Sequence, residues 1–358
     1  MYEFERDARD IADALSHSSP RFSVLTDILP GLSHDQIMEL RREYKRVCKI
    51  HGQGINIAKH IKMKATAGSN FGKIAYVTAL GRWESEGYWA NYWYQSNSAK
   101  RELLIEALMG RPNSDIHAIK DSFKDKRYSD SLMRCMDKEL KADKFRKAIL
   151  VALEERRQEE DQVWPKEYVE RDVRTLYEAL QRREGGESAI IEIVVTRSDR
   201  HLKECLRTYE RRYGGNFAKD CLKKSNNLVV SPSLSLIPRF SQTDTSQGEI
   251  TAHILNGVIN RPARDAMLLH HALEDLATSS SAEKDNPKHE RKDRYELLIS
   301  RLVRVHWEPL HFARVKNEYR DKYRVYLEED IEQFVRGEEF REFCLGLCEV
   351  RDRVGRVG

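Results

Sequence analysis

The sequence predicts an all-α protein built from four copies of one helical unit. Its 358 residues include only 9 Pro and 18 Gly, while 34% are charged and 40% are apolar. Such a composition suits amphipathic helices, because each one buries a single apolar stripe and leaves its other faces in water. The length is ample for one large domain or for two or three ordinary ones.

An apolar stripe that occurs four times is the strongest sign of helices. Apolar residues at positions i and i+3 and an aromatic residue at i+7 share one face of an α-helix. In most copies an apolar segment precedes the stripe and another follows it in the same order, and four ordered copies predict a repeat protein. The stripes are Ile37/Leu40/Tyr44, Ile116/Ile119/Phe123, Leu202/Cys205/Tyr209 and Phe312/Val315/Tyr319.

Each copy also begins with a helix of its own, so a unit holds about five helices. The predicted repeats are residues 1–82, 83–160, 161–261 and 262–358. Two polar insertions interrupt the pattern. Residues 224–247 are rich in Ser, Asn, Thr and Pro and predict a flexible loop. Residues 277–293 are polar enough to predict a solvated, disordered segment.

The chain ends and the cysteines point to a cytoplasmic protein. No apolar run approaches the roughly 20 residues of a membrane span, and the first twenty residues are too charged for a secretory signal. The six cysteines lack the spacing of a disulfide framework and are expected to be reduced. Cys344 and Cys348 lie one helical turn apart, but core packing is favoured over a metal site because no second pair completes a ligand set.

Two stretches carry a resemblance to a known family. They are ELLIEALMGRPNSDIHAIKDSFKDKRYSDSL at 102–132, followed by DKFRKAILVALEERR at 143–157, and IIEIVVTRSDRHLKECLRTYERRYGG at 190–215. Together with the four five-helix repeats, they resemble the annexin family over essentially the whole chain. The resemblance implies a curved disk of four helical bundles that binds calcium and phospholipid through loops on its convex face.

The resemblance also implies where calcium would bind. Calcium takes six to eight oxygens. The family supplies backbone carbonyls from a glycine-rich loop between the first two helices and a carboxylate from before the fifth helix. Glycine suits such a loop because it adopts backbone angles that side chains disfavour.

Three of the four repeats depart from this pattern. The first loop, at 16–22, lacks glycine, and Thr66 stands near the acidic position. The second loop, at 95–100, also lacks glycine, and Leu140 stands at the acidic position beside Glu139. In the fourth repeat an insertion replaces the loop, leaving Glu338 or Glu339 as the acid.

The third repeat keeps part of each half and is expected to hold the one calcium site at most. Its loop contains Gly185 and Gly186, although these are displaced from the family positions. The ligands implied by the resemblance are the carbonyls of Leu180, Arg182 and Glu184 and the carboxylate of Asp244. The alternative is that no metal binds and that Asp244 caps the following helix. Arg182 and Arg183 argue for this alternative, because they place positive charge where the cation would lie.

Basic residues in or beside the same loops suggest attachment to acidic phospholipid without calcium. A lysine or arginine near an anionic membrane contributes about 1 kcal/mol of attraction. The candidates are Arg21, Lys100, Arg101, Arg182, Arg183, Lys288, Arg291 and Lys292. The alternative is that these loops are merely solvated. An aromatic cluster invites an interfacial-anchor interpretation, but its helical spacing favours core packing; it consists of Tyr88, Trp89, Tyr92, Trp93 and Tyr94.

A polar cluster is implied at the centre of the molecule. Glu86, Glu106 and Arg111 stand at positions that resemble the lining of the central pore of annexins. A structural role is favoured for them, since buried ion pairs often fix geometry. Val305 occupies the place of a fourth-repeat arginine, with Arg304 next to it.

These patterns predict a cytoplasmic, peripheral membrane protein that binds acidic phospholipids with reduced or lost calcium dependence. A protein-interaction scaffold of the same fold, binding neither lipid nor calcium, is the alternative. A nucleic-acid partner is disfavoured by the near-neutral net charge of +4. No enzyme is expected, because the sequence has no phosphate-binding glycine loop, His-Glu-x-x-His or Gly-x-Ser-x-Gly motif.

Overall fold

The computed structural model describes residues 4–66, 68–92, 101–182, 185–225, 246–281 and 287–349. Within these ranges the chain is helical except for loops, two short 3-10 turns and one two-stranded ribbon. The all-α prediction is confirmed. None of the helices in the described ranges combines the length and the apolarity that crossing a bilayer requires.

The helices follow one another in groups of five. The first group is α1 (Phe4–Ser16), α2 (Ser23–Ile28), α3 (His34–Val47), α4 (Ile57–Lys64) and α5 (Asn70–Leu80). The second is α6 (Arg82–Tyr92), α7 (Glu102–Leu108), α8 (Asn113–Ser122), α9 (Leu132–Glu139) and α10 (Lys144–Leu153). The third begins with α11 (Lys166–Gln181), α12 (Glu187–Thr196), α13 (Asp199–Tyr213) and α14 (Phe217–Ser225). After α15 (Ser246–Ser281) the last group continues with α16 (Pro287–His306), α17 (Pro309–Tyr323), α18 (Leu327–Phe334) and α19 (Glu338–Cys348).

The long helix α15 is two helices joined at a kink. Asn260 has non-helical angles (φ −157°, ψ 95°), and Pro262 follows it. Proline has no N–H to donate to the preceding turn, and the Asn260 side chain accepts a hydrogen bond of 3.1 Å from the Ala263 N–H as a new N-cap. The first half of α15 therefore completes the third group of five, and the second half begins the fourth.

The helices form two compact units, residues 1–85 with 265–358 and residues 86–264. The first contains the first and fourth groups and is joined by Phe71 against Phe343 (5.8 Å between ring centroids) and by a buried ion pair between Lys73 and Glu296. The second contains the second and third groups, with α10 against α12 and α11 against α13. The repeat boundaries derived from the sequence stay predictions.

The four apolar stripes lie in the core. All twelve of their residues are at most 4% exposed, from Tyr44 and Tyr319 at 0% to Phe123 at 4%. Burying apolar surface contributes roughly 25 cal/mol per Å², so these stripes explain why short helices with largely charged outer faces stay assembled.

Two features differ from the sequence prediction. The segment 277–293 is not wholly irregular: α15 continues to Ser281 and α16 begins at Pro287, while 282–286 lie outside the described residues. Helix-forming Lys, Glu and Arg continue α16, and proline is favoured in the first turn of a helix. In addition, Lys49–Ile50 and Gln53–Gly54 pair as an antiparallel ribbon between α3 and α4. Its turn has φ of 50° at His51 and 78° at Gly52, as two-residue hairpins prefer. The loop predicted at 224–247 lies almost entirely outside the described residues.

Three histidines make the stability of the fold sensitive to pH. Burial lowers the pKa of His34, His60 and His270 below the ordinary value of 6.5. His60 is also held by a hydrogen bond of 2.7 Å between its Nδ1 and Tyr44 Oη. Because the unfolded chain binds protons at these sites more readily, stability is fully present above pH 6.5 and falls as the pH decreases below it.

We therefore expect the urea midpoint to fall between pH 7.5 and pH 5.5. The change should be smaller in a variant that carries His34→Gln, His60→Gln and His270→Gln. His17, whose side chain is 51% exposed, supplies the control substitution His17→Gln. An equally steep pH dependence in the triple variant would contradict the assignment.

Candidate functional site

The third repeat has a turn after α11 that depends on two glycines. After α11 the backbone turns at Gly185 (φ 83°), and Gly186 lies so close to the helix end that a Cβ there would come within 2.0 Å of the Ala179 oxygen. Both positions therefore require glycine. Of the predicted ligands, Leu180 lies in the last turn of α11 and the exposed Arg182 is the residue that ends this helix; the Arg182 N–H donates to the Glu178 oxygen at 3.1 Å. Arg183, Glu184 and Asp244 lie outside the described residues.

The corresponding loop of the first repeat is occupied by its own chain. The Arg21 N–H donates to the Ala14 oxygen at 3.1 Å, and the Arg21 guanidinium binds Asp13 Oδ2 at 2.5 Å. None of the residues from 16 to 22, all of which are described, has positive φ. Thr66 is exposed and offers a hydroxyl where a carboxylate is needed. The Ala14 carbonyl and the Asp13 carboxylate, both in α1, are thus already bonded to Arg21.

The acidic position of the second repeat is taken by a leucine, whereas that of the fourth repeat keeps exposed carboxylates. Leu140 is 5% exposed and belongs to the core, while Glu139 Oε1 accepts a hydrogen bond of 2.8 Å from Tyr128 Oη. Glu338 and Glu339 are exposed in the first turn of α19. Neither repeat presents a buried, uncommitted carboxylate at the predicted position within the described residues.

Of the predicted lipid-binding residues, Arg21, Arg101 and Arg182 have described side chains. The Arg101 guanidinium lies 5.9 Å from the ring centroid of Phe145, so it is held against the start of α10. Lys100 and Arg183 lie outside the described residues. Lys288, Arg291 and Lys292 lie in the first turns of α16, where only the backbone is described.

The structure brings the central polar cluster together. Arg111 Nη2 lies 2.5 Å from Glu86 Oε1, with side-chain exposures of 11% and 4%. The same guanidinium donates from Nε to the Ala107 oxygen at 2.5 Å and approaches Asp115 Oδ2 at 3.5 Å. Glu106 is 4% exposed, and its backbone oxygen accepts from Arg111 Nη2 at 3.4 Å. A buried arginine that satisfies carbonyls and a carboxylate at once fixes the junction of α6, α7 and α8.

A second polar cluster in the same unit was not predicted from the sequence. Asp172, which is 2% exposed, accepts from Arg197 at 2.7 Å and 3.3 Å, and its Oδ2 lies 2.9 Å from His201 Nε2. Arg197 also lies over the Trp164 ring at 4.9 Å. Burial of the carboxyl acts to raise the pKa of Asp172, but the hydrogen bonds from His201 and Arg197 outweigh it and hold that pKa below its ordinary value.

This cluster resembles a metal-ligand set, but the charge of its carboxylate is already balanced by Arg197. Ligand atoms of Asp172, His201 and Cys205 lie within 4.8 Å of one another. Burial raises the pKa of the Cys205 thiol to about 12, so the sulfur stays protonated, whereas a metal needs the thiolate. Since Arg197 supplies the positive charge, the arrangement is a buried ion-pair cluster. Sequence reasoning missed it because its members come from α11, α13 and the loop between α12 and α13.

The structure describes three of the five residues in the aromatic cluster, Tyr88, Trp89 and Tyr92. Trp89 is 1% exposed, and its ring lies 4.9 Å from Tyr88 and 5.6 Å from Tyr92. These contacts agree with core packing for the first three members, while Trp93 and Tyr94 lie outside the described residues. Cys344 and Cys348 are both buried, at 0% and 1% exposure, as core packing requires.

Comparison with known proteins agrees with this architecture. Residues 171–224 match the family model described as Annexin. Over 249 residues the chain is 28% identical to Annexin C1 of Cryptococcus neoformans var. grubii, a match that covers 69% of this chain and 46% of that protein. The chain thus aligns with about half the length of this relative.

Two solved structures show the fold. A point mutant of annexin A8 with an intact N-terminus matches with a TM-score of 0.76 and 16% identity, covering 98% of this chain and 95% of the other. Calcium-bound annexin (Sm)1 matches with a TM-score of 0.70 and 16% identity, covering 98% and 91%. The common architecture is the all-α fold of four five-helix repeats. The family model, the curated relative and the shared fold agree that the chain is similar to annexins in sequence and in architecture.

Proposed function

We propose that this chain is an annexin, namely a cytoplasmic, peripheral protein that binds acidic phospholipid membranes with reduced or lost dependence on calcium. One observation carries the proposal. In the first repeat, no residue of the loop at 16–22 has positive φ, the Arg21 N–H bonds the Ala14 carbonyl, and the Arg21 guanidinium pairs with Asp13. Because this loop lacks the glycine geometry that turns carbonyls toward calcium, attraction to anionic lipid would depend on basic side chains in and beside the loops.

The third repeat supports at most one remaining calcium site. The glycine-dependent turn at Gly185 and Gly186 supports this site, with Leu180, Arg182, Glu184 and Asp244 as the proposed ligands. The Arg182 charge next to them weakens any such site. The other basic loop residues named above would bind lipid headgroups directly, and no catalytic role is proposed.

Cosedimentation with vesicles of phosphatidylserine and phosphatidylcholine tests the proposal. We expect the full chain to pellet in calcium-free buffer containing a chelator, and to pellet less as the salt concentration rises, because the attraction acts between charges. Pure phosphatidylcholine vesicles are the control and should not retain the protein.

Three outcomes separate the alternatives. Pelleting that requires calcium and is abolished by Asp244→Ala would show that the third-repeat site is intact and that the loss of calcium dependence is wrong. Absence of pelleting with and without calcium would contradict membrane binding and leave the protein-interaction scaffold. Pelleting without calcium that Asp244→Ala leaves unchanged is the expected result.

A further inference from the structure

A long stretch of the first repeat contains no acidic residue. From Tyr44 to Trp83 the sequence has neither Asp nor Glu, and the chain's 58 acidic residues all lie elsewhere. The same stretch carries eight basic residues, namely Lys45, Arg46, Lys49, Lys59, Lys62, Lys64, Lys73 and Arg82. Such a local excess of one sign attracts a partner of the opposite charge.

Three of these charges are neutralised within the fold. Arg46 pairs with Glu5 and Glu43, Lys73 with Glu296, and Arg82 with Glu308. The other five, Lys45, Lys49, Lys59, Lys62 and Lys64, form no ion pair with any described residue. Three of these five uncompensated charges lie on one short helix, α4.

The end of α4 also exposes an apolar side chain. Met63 is 57% exposed, although Ile57, Ala58 and Ile61 on the other face of the same helix are at most 1% exposed. Met63 stands between Lys62 and Lys64 in the last turn. We call these three residues the Lys-Met-Lys tip. It combines a flexible thioether, which adapts to an irregular apolar environment, with two cations beside it.

Hydrogen bonds and an aromatic contact fix the loop that follows the tip. The loop after α4 closes with a hydrogen bond of 3.0 Å from the Ser69 N–H to the Thr66 oxygen, and Ser69 Oγ caps α5 by accepting from the Gly72 N–H at 3.1 Å. The next residues lead to Phe71, whose ring lies 5.3 Å from Phe22, the neighbour of Arg21. The loop after α4 and the Arg21 loop are thus anchored to each other at one end of the bundle.

We propose that the Lys-Met-Lys tip is a calcium-independent anchor for an anionic lipid bilayer, in which Lys62 and Lys64 bind headgroup phosphates or carboxylates and Met63 enters the interface. The proposal rests on the membrane binding proposed above and assigns a lipid contact within it. A bilayer matches both properties of the tip, since it offers negative charge at its surface and an apolar layer beneath. A nucleic acid offers the charge but no equivalent apolar layer for a methionine.

The test compares the full chain with two double variants in calcium-free buffer, using vesicles with and without phosphatidylserine. Lys62→Gln with Lys64→Gln changes the tip. Lys45→Gln with Lys49→Gln removes the same charge from exposed positions of the same acid-free stretch and is the matched control. We expect the tip variant to bind about tenfold or more weakly, because each lysine near an anionic surface contributes roughly a fivefold attraction. The control variant should bind nearly as well as the unchanged chain, and equal melting temperatures would show that both fold.

Met63→Trp gives an independent measurement. The tryptophan emission at this exposed position should shift to shorter wavelength with phosphatidylserine vesicles and stay unchanged with phosphatidylcholine alone, once the five native tryptophans are subtracted by using the unsubstituted chain. A shift that appears only when the bilayer is anionic supports insertion at the tip.

The outcomes distinguish the two levels of the proposal. If the unchanged chain binds vesicles and the tip variant binds equally well, the assignment of the lipid contact to the tip is wrong and membrane binding stands. Equal losses of vesicle binding in both double variants would overturn the assignment to the tip and indicate a general attraction between the basic chain and the anionic surface. Failure of the unchanged chain to bind any vesicle would overturn membrane binding and the tip together. Tip-dependent binding to polyuridylate without vesicle binding would assign the surface to a nucleic acid and contradict the bilayer.

Discussion

Replacing Arg111 by methionine is expected to lower the free energy of unfolding by about 3–5 kcal/mol. The substitution keeps the apolar stem but removes the positive charge that lies 2.5 Å from Glu86, whose side chain is 4% exposed. It also removes the donor to the Ala107 oxygen. Urea unfolding followed by circular dichroism measures the change, which should appear in the transition of the unit formed by residues 86–264.

A double variant separates the pair from its surroundings. Arg111→Met with Glu86→Gln removes both charges, and breaking a buried pair is far more costly than replacing both partners. The double variant should therefore regain most of the stability that Arg111→Met loses. A loss below about 1 kcal/mol in the single variant, the size typical of exposed ion pairs, would contradict a buried structural role for Arg111.

The fold was predictable because its signals are local and occur four times. A stripe such as Leu202, Cys205 and Tyr209 marks one face of a helix whatever its surroundings, and its burial follows from amphipathicity alone. The kink of α15 was not predicted, although Pro262 lies inside the helix and proline breaks the hydrogen bonding of the preceding turn. The hairpin at 49–54 was missed because a His-Gly turn between strands of two residues carries little signal against a helical background.

The candidate site was only partly predictable. The missing glycines at 16–22 and the leucine at position 140 predicted that these repeats lack part of the calcium site. The pairing of Arg21 with Asp13 was not visible, because it depends on how the loop returns to α1. Similarly, nothing in the order of residues relates Met63 to Arg21. Their loops are brought together by the contact of Phe22 with Phe71 across nearly fifty residues of chain.

The largest effect in the third repeat is expected at Asp172, where Asp172→Asn should lower the free energy of unfolding by about 3–5 kcal/mol. Asparagine keeps the shape but removes the charge that compensates Arg197 and binds His201, whose side chain is 3% exposed. The exposed Asp161 provides the matched control, and Asp161→Asn should change stability little.

The pH dependence of stability distinguishes the loss of the Asp172 charge from a loss of packing. Since the pKa of Asp172 is lowered in the fold, its contribution is fully present above the ordinary value of 3.8 and is lost as the pH falls through the lower, folded value. Acid unfolding below pH 3.8 should therefore be less steep in Asp172→Asn than in the unchanged chain. Equal steepness in both would mean that the carboxylate is not charged in the fold. In that case Arg197 would be a buried cation without its counterion, which its bonds of 2.7 Å and 3.3 Å to Asp172 argue against.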